Sequence, residues 1–210
     1  MKVLSLFFIL FFCYSANCQL KKGYFQYSID VEAVDTLLKT RQSVSLLRDS
    51  KMELYFTKDK SRMDFKMGQV STISIIVDRK KNKVLSLNKS VMGKVAQLGL
   101  ATDIQPSIPD TTVKVIFYTD QRKILNYNCK KAVIIENGVE TTYWYTSEIQ
   151  VDSKDHSIFN ANIPGFPMQF SKTQDGVLMT FELSNIREEL ADEKQIFSTE
   201  VPEEYMLAGQ

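Results

Sequence analysis

From residue 23 to residue 183 the chain keeps returning to one pattern, in which apolar and polar side chains alternate residue by residue. That alternation marks strands that bury one face and wet the other. Residues 23–32 set Phe25, Tyr27, Ile29 and Val31 against Tyr24, Gln26 and Ser28, which predicts a half-buried first strand. Met52, Leu54 and Phe56 alternate with Lys51, Glu53 and Tyr55. After a KDKS turn, Met63, Phe65 and Met67 alternate with Arg62, Asp64 and Lys66. Two such runs around a polar turn predict a hairpin with one apolar face. Residues 71–77 and 83–87 flank DRKKN and predict a second hairpin. Further strands are expected over 113–118, 127–135 and 139–146, joined by TDQRK and by Asn137-Gly138. Asn-Gly readily takes the two positive φ angles of a type I′ turn. Two last runs, 168–171 and 177–183, meet at TQDG.

The interruptions are as informative. Leu37, Leu38, Val44 and Leu47 fall loosely at helical spacing, so residues 35–49 read as a short helix or structured insertion. Residues 91–100 fit a strand or a helix. Residues 101–110 carry two prolines and read as a long loop dividing two halves of one sheet. The polar stretch 150–162 suits a helical turn. Pro164, Gly165, Phe166 and Pro167 form a motif turn that interrupts the ladder, since proline offers no N–H. The acidic tail reads as helix or loop until Ile196-Phe197 docks. The expected fold is therefore mainly β: a curved antiparallel sheet or partial barrel of about eight to ten strands, with one or two short helices.

The N-terminus lies outside that pattern. Lys2, an apolar run over 3–14 and small residues near Cys18 predict a secretory signal peptide over residues 1–18, leaving 19–210 as one exported domain. The apolar run is shorter than the roughly 20 residues a spanning helix needs, and no later stretch supplies one. Ala16 and Cys18 fit the small-residue rule for cleavage before Gln19. The rival is lipoprotein anchoring through an acylated Cys18, which Asn17 fits less well.

Charge narrows the partners. The signal carries one of the chain's 26 basic residues and none of its 25 acidic ones, so the remainder is formally balanced at zero. Such a balance gives no support for nucleic-acid binding. The one basic cluster, Arg79, Lys80, Lys81 and Lys83 in the DRKKN turn, admits a membrane or phosphate reading. A solvated, edge-protecting hairpin tip is the favoured one.

Candidate chemistry is sparse. His156 is the sole histidine; without further soft ligands it suits no zinc site, and no nucleophile is spaced to it, so it reads as a surface histidine. Cys129 neighbours Lys130 and Lys131, but alternation sends Lys130 to the other face, and a buried structural thiol is the better reading. Glu148, Asp152 and Asp155 lack the spacing and glycine of a calcium loop. No phosphate-cradling glycine loop or hydrolase elbow occurs. The expectation is a protein without a catalytic centre, cofactor or metal. Met52, Phe56, Met63, Phe65, Met67, Met168, Phe170, Met179 and Phe181 all fall on predicted strand faces. They read first as core. Because methionine is soft and adaptable, they are also the candidate lining for an apolar ligand.

YTDQRKILNYNCKKAVI, then TTYWYTSEI, then IPGFPMQF, together with the hairpin from Tyr55 to Met63, resembles the secreted GLPGLI-type proteins and related uncharacterised families of Gram-negative bacteria. The resemblance covers most of the exported chain; the signature itself stands here as Pro164-Gly165-Phe166-Pro167-Met168-Gln169. It implies export to the periplasm or outer envelope and a layout similar to the lipoprotein-carrier (LolA-like) fold, a curved sheet around an apolar hollow. It implies no known activity and hence no catalytic residue. Two functions are then expected to compete. One is an envelope binding protein holding a lipid or lipidated polypeptide against the concave face of its sheet. The alternative is a structural or interaction subunit of an envelope complex, recruiting a protein partner through its strands and holding no small molecule.

Overall fold

The computed structural model describes residues 18–104, 112–154 and 160–208. The expected signal segment up to residue 17, most of the expected long loop, Asp155 and His156 lie outside them. In chain order the strands are β1 Cys18–Leu20, β2 Gly23–Ala33, β3 Lys51–Phe56, β4 Lys60–Met67, β5 Ser71–Asp78, β6 Lys83–Ser90 and β7 Gly93–Gly99. They continue as β8 Lys114–Ile124, β9 Tyr127–Glu136, β10 Val139–Thr146, β11 Ile149–Val151, β12 Phe166–Gln174, β13 Val177–Arg187 and β14 Met206–Leu207. Helix α1 spans Leu38–Leu46 and α2 spans Glu193–Ile196; a 3-10 turn covers Ala101–Asp103.

Twelve of these strands make one curved, unclosed sheet in the order β14-β7-β6-β5-β4-β3-β2-β13-β12-β10-β9-β8. Strands β2 to β7 meander outward to one side, β8 forms the far edge, and β9, β10, β12 and β13 meander back until β13 pairs with β2. The chain thus builds its sheet in two halves, joined at a seam in which Phe181 faces Ile29 and Leu183 faces Tyr27. Register shifts at Leu183/Asn185, Trp144/Tyr145 and Phe117/Gln121 interrupt the ladders. Bulges of this kind bend a strand and increase its twist.

Several turns follow directly from their residues. Asn137-Gly138 and Asp175-Gly176 both hold two consecutive positive φ angles, as type I′ hairpins need. Within the region 91–100, Gly93–Gly99 is strand β7. Other expectations need correction. TDQRK is not a turn: residues 119–123 lie inside β8, which absorbs them in its register shift, and the chain reverses at Leu125-Asn126, both at positive φ. Nor do Phe166 and Pro167 precede a strand. They open β12, with Pro167 opposite Tyr145 beside the bulge, a position where its missing N–H costs no regular rung. The polar stretch after residue 148 begins with β11, and the sheets are not wholly antiparallel. β1 pairs with β11, and β14 with β7, in parallel.

Alternation divides the large sheet into two faces. One, called inner here, carries Phe25, Tyr27, Ile29, Leu54, Phe56, Phe181 and Leu183, and Leu20 and Ile149 of the small sheet pack into the same cluster. The outer face carries Ile76, Leu85, Leu87 and Ala96, covered by Val201, Tyr205 and Leu207 of the C-terminal tail. Helix α2 starts that tail: Asp192 caps it by accepting a hydrogen bond from Gln195 N, and Phe197 beyond it is buried.

Candidate functional site

The inner face is built in rows set by register. Gln26, Glu53, Asp64 and Ser74 lie opposite one another on the outer side, and one step along the strands, Tyr27, Met52, Phe65 and Ile73 line up on the inner side. The next inner row runs Phe25, Leu54, Met63, Ile75. Across the seam, Phe181 stacks on Phe170 with ring centroids 4.6 Å apart and planes 8° apart, and lies 6.0 Å from Phe65. Phe170 continues to Tyr143 at 5.8 Å and to Tyr27 at 5.9 Å. Phe25 stacks on Phe56 at 5.2 Å and meets Phe166 at 4.5 Å. Rings at such separations add about 0.5–1.5 kcal/mol per pair beyond their buried area.

Eight of the nine candidate lining residues come together here, in two tiers. Phe56, Met168 and Phe181 are buried and belong to the core. Met52, Met63, Phe65, Phe170 and Met179 are half-buried: each packs on that core and leaves part of itself on the inner surface. Met67 sits at the end of β4 and is not part of the cluster. The sequence reading missed Val31, Ile73 and Ile75, which are half-buried and extend the same face. Their alternation in STISIIV was visible; restricting the candidates to methionine and phenylalanine hid them. The result is an apolar strip from β5 to β12.

The motif turn seats this strip. A Cβ on Gly165 would meet Thr146 O at 2.5 Å and the Tyr145 ring at 2.9 Å, so only glycine lets the chain pass that close to β10. The pass places Phe166 on Phe25 and brings the Pro167 carbonyl to the fully buried Tyr27 hydroxyl, which donates to it at 2.7 Å. Burial pushes the Tyr27 hydroxyl well above the usual tyrosine range, keeping it a neutral donor.

The outer face is chemically different. Tyr24 Oη donates to Glu53 at 2.7 Å, and burial and Glu53 together push that phenol upward. Arg187 lies over the Tyr24 ring, while Arg62 donates to Asp64 at 2.9 Å and to the Ile196 carbonyl at 3.1 Å. Arg122 lies over Trp144 and donates to Gln169, which in turn donates to Glu182. Polar side chains thus occupy one side of the central strands and apolar ones the other.

Four surface clefts of the described residues are lined mainly by polar side chains, and none by any of the nine candidates. Around one end of the sheet stand exposed apolar side chains: Leu37 and Leu38 at the start of α1, Val70 between β4 and β5, and Val91 and Met92 between β6 and β7, the last 94% exposed. Cys129 is completely buried, donates weakly to the Tyr127 carbonyl at 3.4 Å, and has its thiol pushed upward by burial, as expected of a structural thiol. Among the described residues, no three metal-ligating side chains gather, and no helix is long and apolar enough to cross a membrane.

These features define a mainly β protein with a large, curved, unclosed sheet and one apolar face whose outer tier is half-buried. No family model matches the chain, and no curated protein matches it. Among solved structures it is similar to PNGF-II, seen in two crystal forms. For the C2 form the TM-score is 0.45 and the identity 14%, over 88% of this chain and 30% of that one. For the P21 form the values are 0.43 and 15%, over 84% and 30%. The chain therefore spans less than a third of PNGF-II. It is also similar to a LolA-superfamily protein from Nitrosomonas europaea, with a TM-score of 0.24 and 9% identity, over 88% of this chain and 94% of that one. No residue role or ligand is transferred from either.

Proposed function

We propose that this chain is an exported, non-catalytic binding protein of the cell envelope that holds a hydrophobic ligand, a lipid or a lipidated polypeptide, along the inner face of its sheet. The observation that carries the reading is the half-buried strip of Met52, Met63, Phe65, Ile73, Ile75, Phe170 and Met179, each of which leaves part of its apolar surface accessible. A soluble domain ordinarily covers such a surface, and a contiguous apolar patch left open marks a place where something apolar sits. Export and an envelope location rest on the residues 1–18 and on the GLPGLI-type motifs.

Magnitudes bound the ligand. At ~0.8 kcal/mol per buried methylene, a chain half-covered over about ten methylenes gains about 4 kcal/mol, which is millimolar binding before any ordering cost. Two chains side by side roughly double that and reach the micromolar range. The strip therefore suits a two-chain lipid or a multiply acylated peptide better than a single fatty acid.

The test is titration with a dioleoyl phospholipid carrying an environment-sensitive fluorophore. Wild type is expected to enhance its emission and shift it to the blue. Phe65→Gln with Ile75→Gln, which removes apolar surface from half-buried positions, is expected to weaken uptake at least tenfold while circular dichroism stays unchanged. Equal uptake by a folded double variant contradicts the reading. The envelope-subunit alternative draws on the open edge strand β8, where Phe117 and Tyr118 are 55% and 42% exposed. Failure to take up lipid, with crosslinking to one envelope protein through position 117, favours it instead.

A further inference from the structure

The end of the sheet that carries the DRKKN turn gathers lysines from separate parts of the chain. A cleft of about 540 Å³ there is lined by Lys21 and Lys22 ahead of β2, Lys58 and Lys60 around the β3–β4 turn, and Lys80 of the DRKKN turn. Its acids are Asp59 and Glu193, so five positive charges face two negative ones in a chain whose whole formal charge is +1. Lys60 also lines an adjoining cleft with Lys81 and Lys194, where Asp192 and Glu200 face them.

The acids hold the lysines in place more than they neutralise them. Asp59 takes Lys154 at 2.7 Å on one oxygen and Lys80 at 3.2 Å on the other. Backbone bonds fix the same three segments: Arg79 N donates to Asp59 O, and Lys154 N to Lys58 O. The two ammonium groups hold the Asp59 carboxyl below the usual range, so it remains an anion through neutral pH. Glu193 is paired with Lys22 at 2.8 Å, and the buried Asp78 lies 3.6 Å from Lys60. Lys21 and Lys58 are left with no acid partner among the described residues, and both are exposed.

We propose that this cleft is a binding site for a multiply charged, phosphate-bearing anion, either a free polyphosphate or the phosphorylated head group of a lipid. Lysine suits this role as a mobile point charge with three donors, and the lining residues include no arginine that would demand bidentate geometry. The volume falls within the ~300–1,000 Å³ typical of small-ligand sites and is ample for a diphosphate. The site lies outside the apolar strip and stands whether or not the strip binds lipid.

Titration with sodium pyrophosphate, followed by calorimetry and by amide NMR shifts, tests it directly. Wild type is expected to bind, with shifts clustered at residues 21–22, 57–60 and 79–83, and to lose at least fivefold in affinity when sodium chloride rises from about 50 to 500 mM, because exposed charges are screened over about one Debye length. Lys21→Glu with Lys58→Glu, two exposed side chains without structural partners, is expected to weaken binding at least tenfold. Lys39→Glu on α1 is expected to change nothing. A second arm uses vesicles of phosphatidylcholine with and without about 30% phosphatidic acid. Co-sedimentation only with the phosphatidic acid vesicles, lost in the double variant, assigns the site to a head group. Pyrophosphate binding without vesicle binding assigns it to a soluble phosphate. Wild type that binds neither probe, or a Lys39→Glu variant weakened as much as the double variant, overturns the proposal.

Discussion

Tyr27 is the residue on which the inner face turns. Its ring meets Phe170, its hydroxyl reaches the Pro167 carbonyl, and it has no exposed surface. Replacing it by phenylalanine keeps the packing and leaves a buried carbonyl without that donor. A loss of about 1–2 kcal/mol is expected, read as a lower urea midpoint at unchanged slope. An unmoved midpoint means that water or a local shift satisfies Pro167. The alternation of YFQYSI puts Tyr27 on the apolar side without any structure. Its partner is 140 residues away, across a bulge, and no local rule points there. Cys129 was similarly legible as buried, since its strand phase separates it from Lys130, whereas the role of Gly165 depends on the Thr146 backbone behind it.

Among the elements, the long hairpins were readable because each carries its own periodicity and turn chemistry: β3–β4, β5–β6, β9–β10 and β12–β13 all lie where alternation and turn residues put them. The short parallel strands were not. β1 and β11 have three residues each and β14 has two, too few to show a period, and their partners are remote in sequence. The β8 bulge escaped for a related reason, because TDQRK has the composition of a turn and only pairing with β9 holds it extended. The β3–β4 and β5–β6 turns meet at Asp59, and that contact has a pH signature. Since Lys154 and Lys80 lower its native pKa, the unfolded chain binds the proton more readily. The stabilisation is present above the ordinary carboxylate value near 4 and fades as pH falls through the lower native value. Acid unfolding of Asp59→Asn is therefore expected to show a shallower dependence on pH below about 4 than wild type. Identical acid profiles contradict the staple.

At the level of the whole molecule, one sheet presents three environments. Its outer side is closed by polar networks and the C-terminal tail, one end carries a basic cleft, and its inner side leaves an apolar strip half open. The fold class was accessible from the sequence because the long strands of one sheet repeat one simple rule. The openness of the strip was not. Alternation says which side chains share a face and is silent on whether another part of the chain covers it. That uncovered face is the central claim, and the direct measurement is mass spectrometry of an organic extract from protein purified out of its native host without detergent. The account predicts acyl-chain lipid in wild type at a substantial molar fraction, and its depletion in the Phe65→Gln, Ile75→Gln protein. Wild type that comes out folded and free of lipid contradicts it.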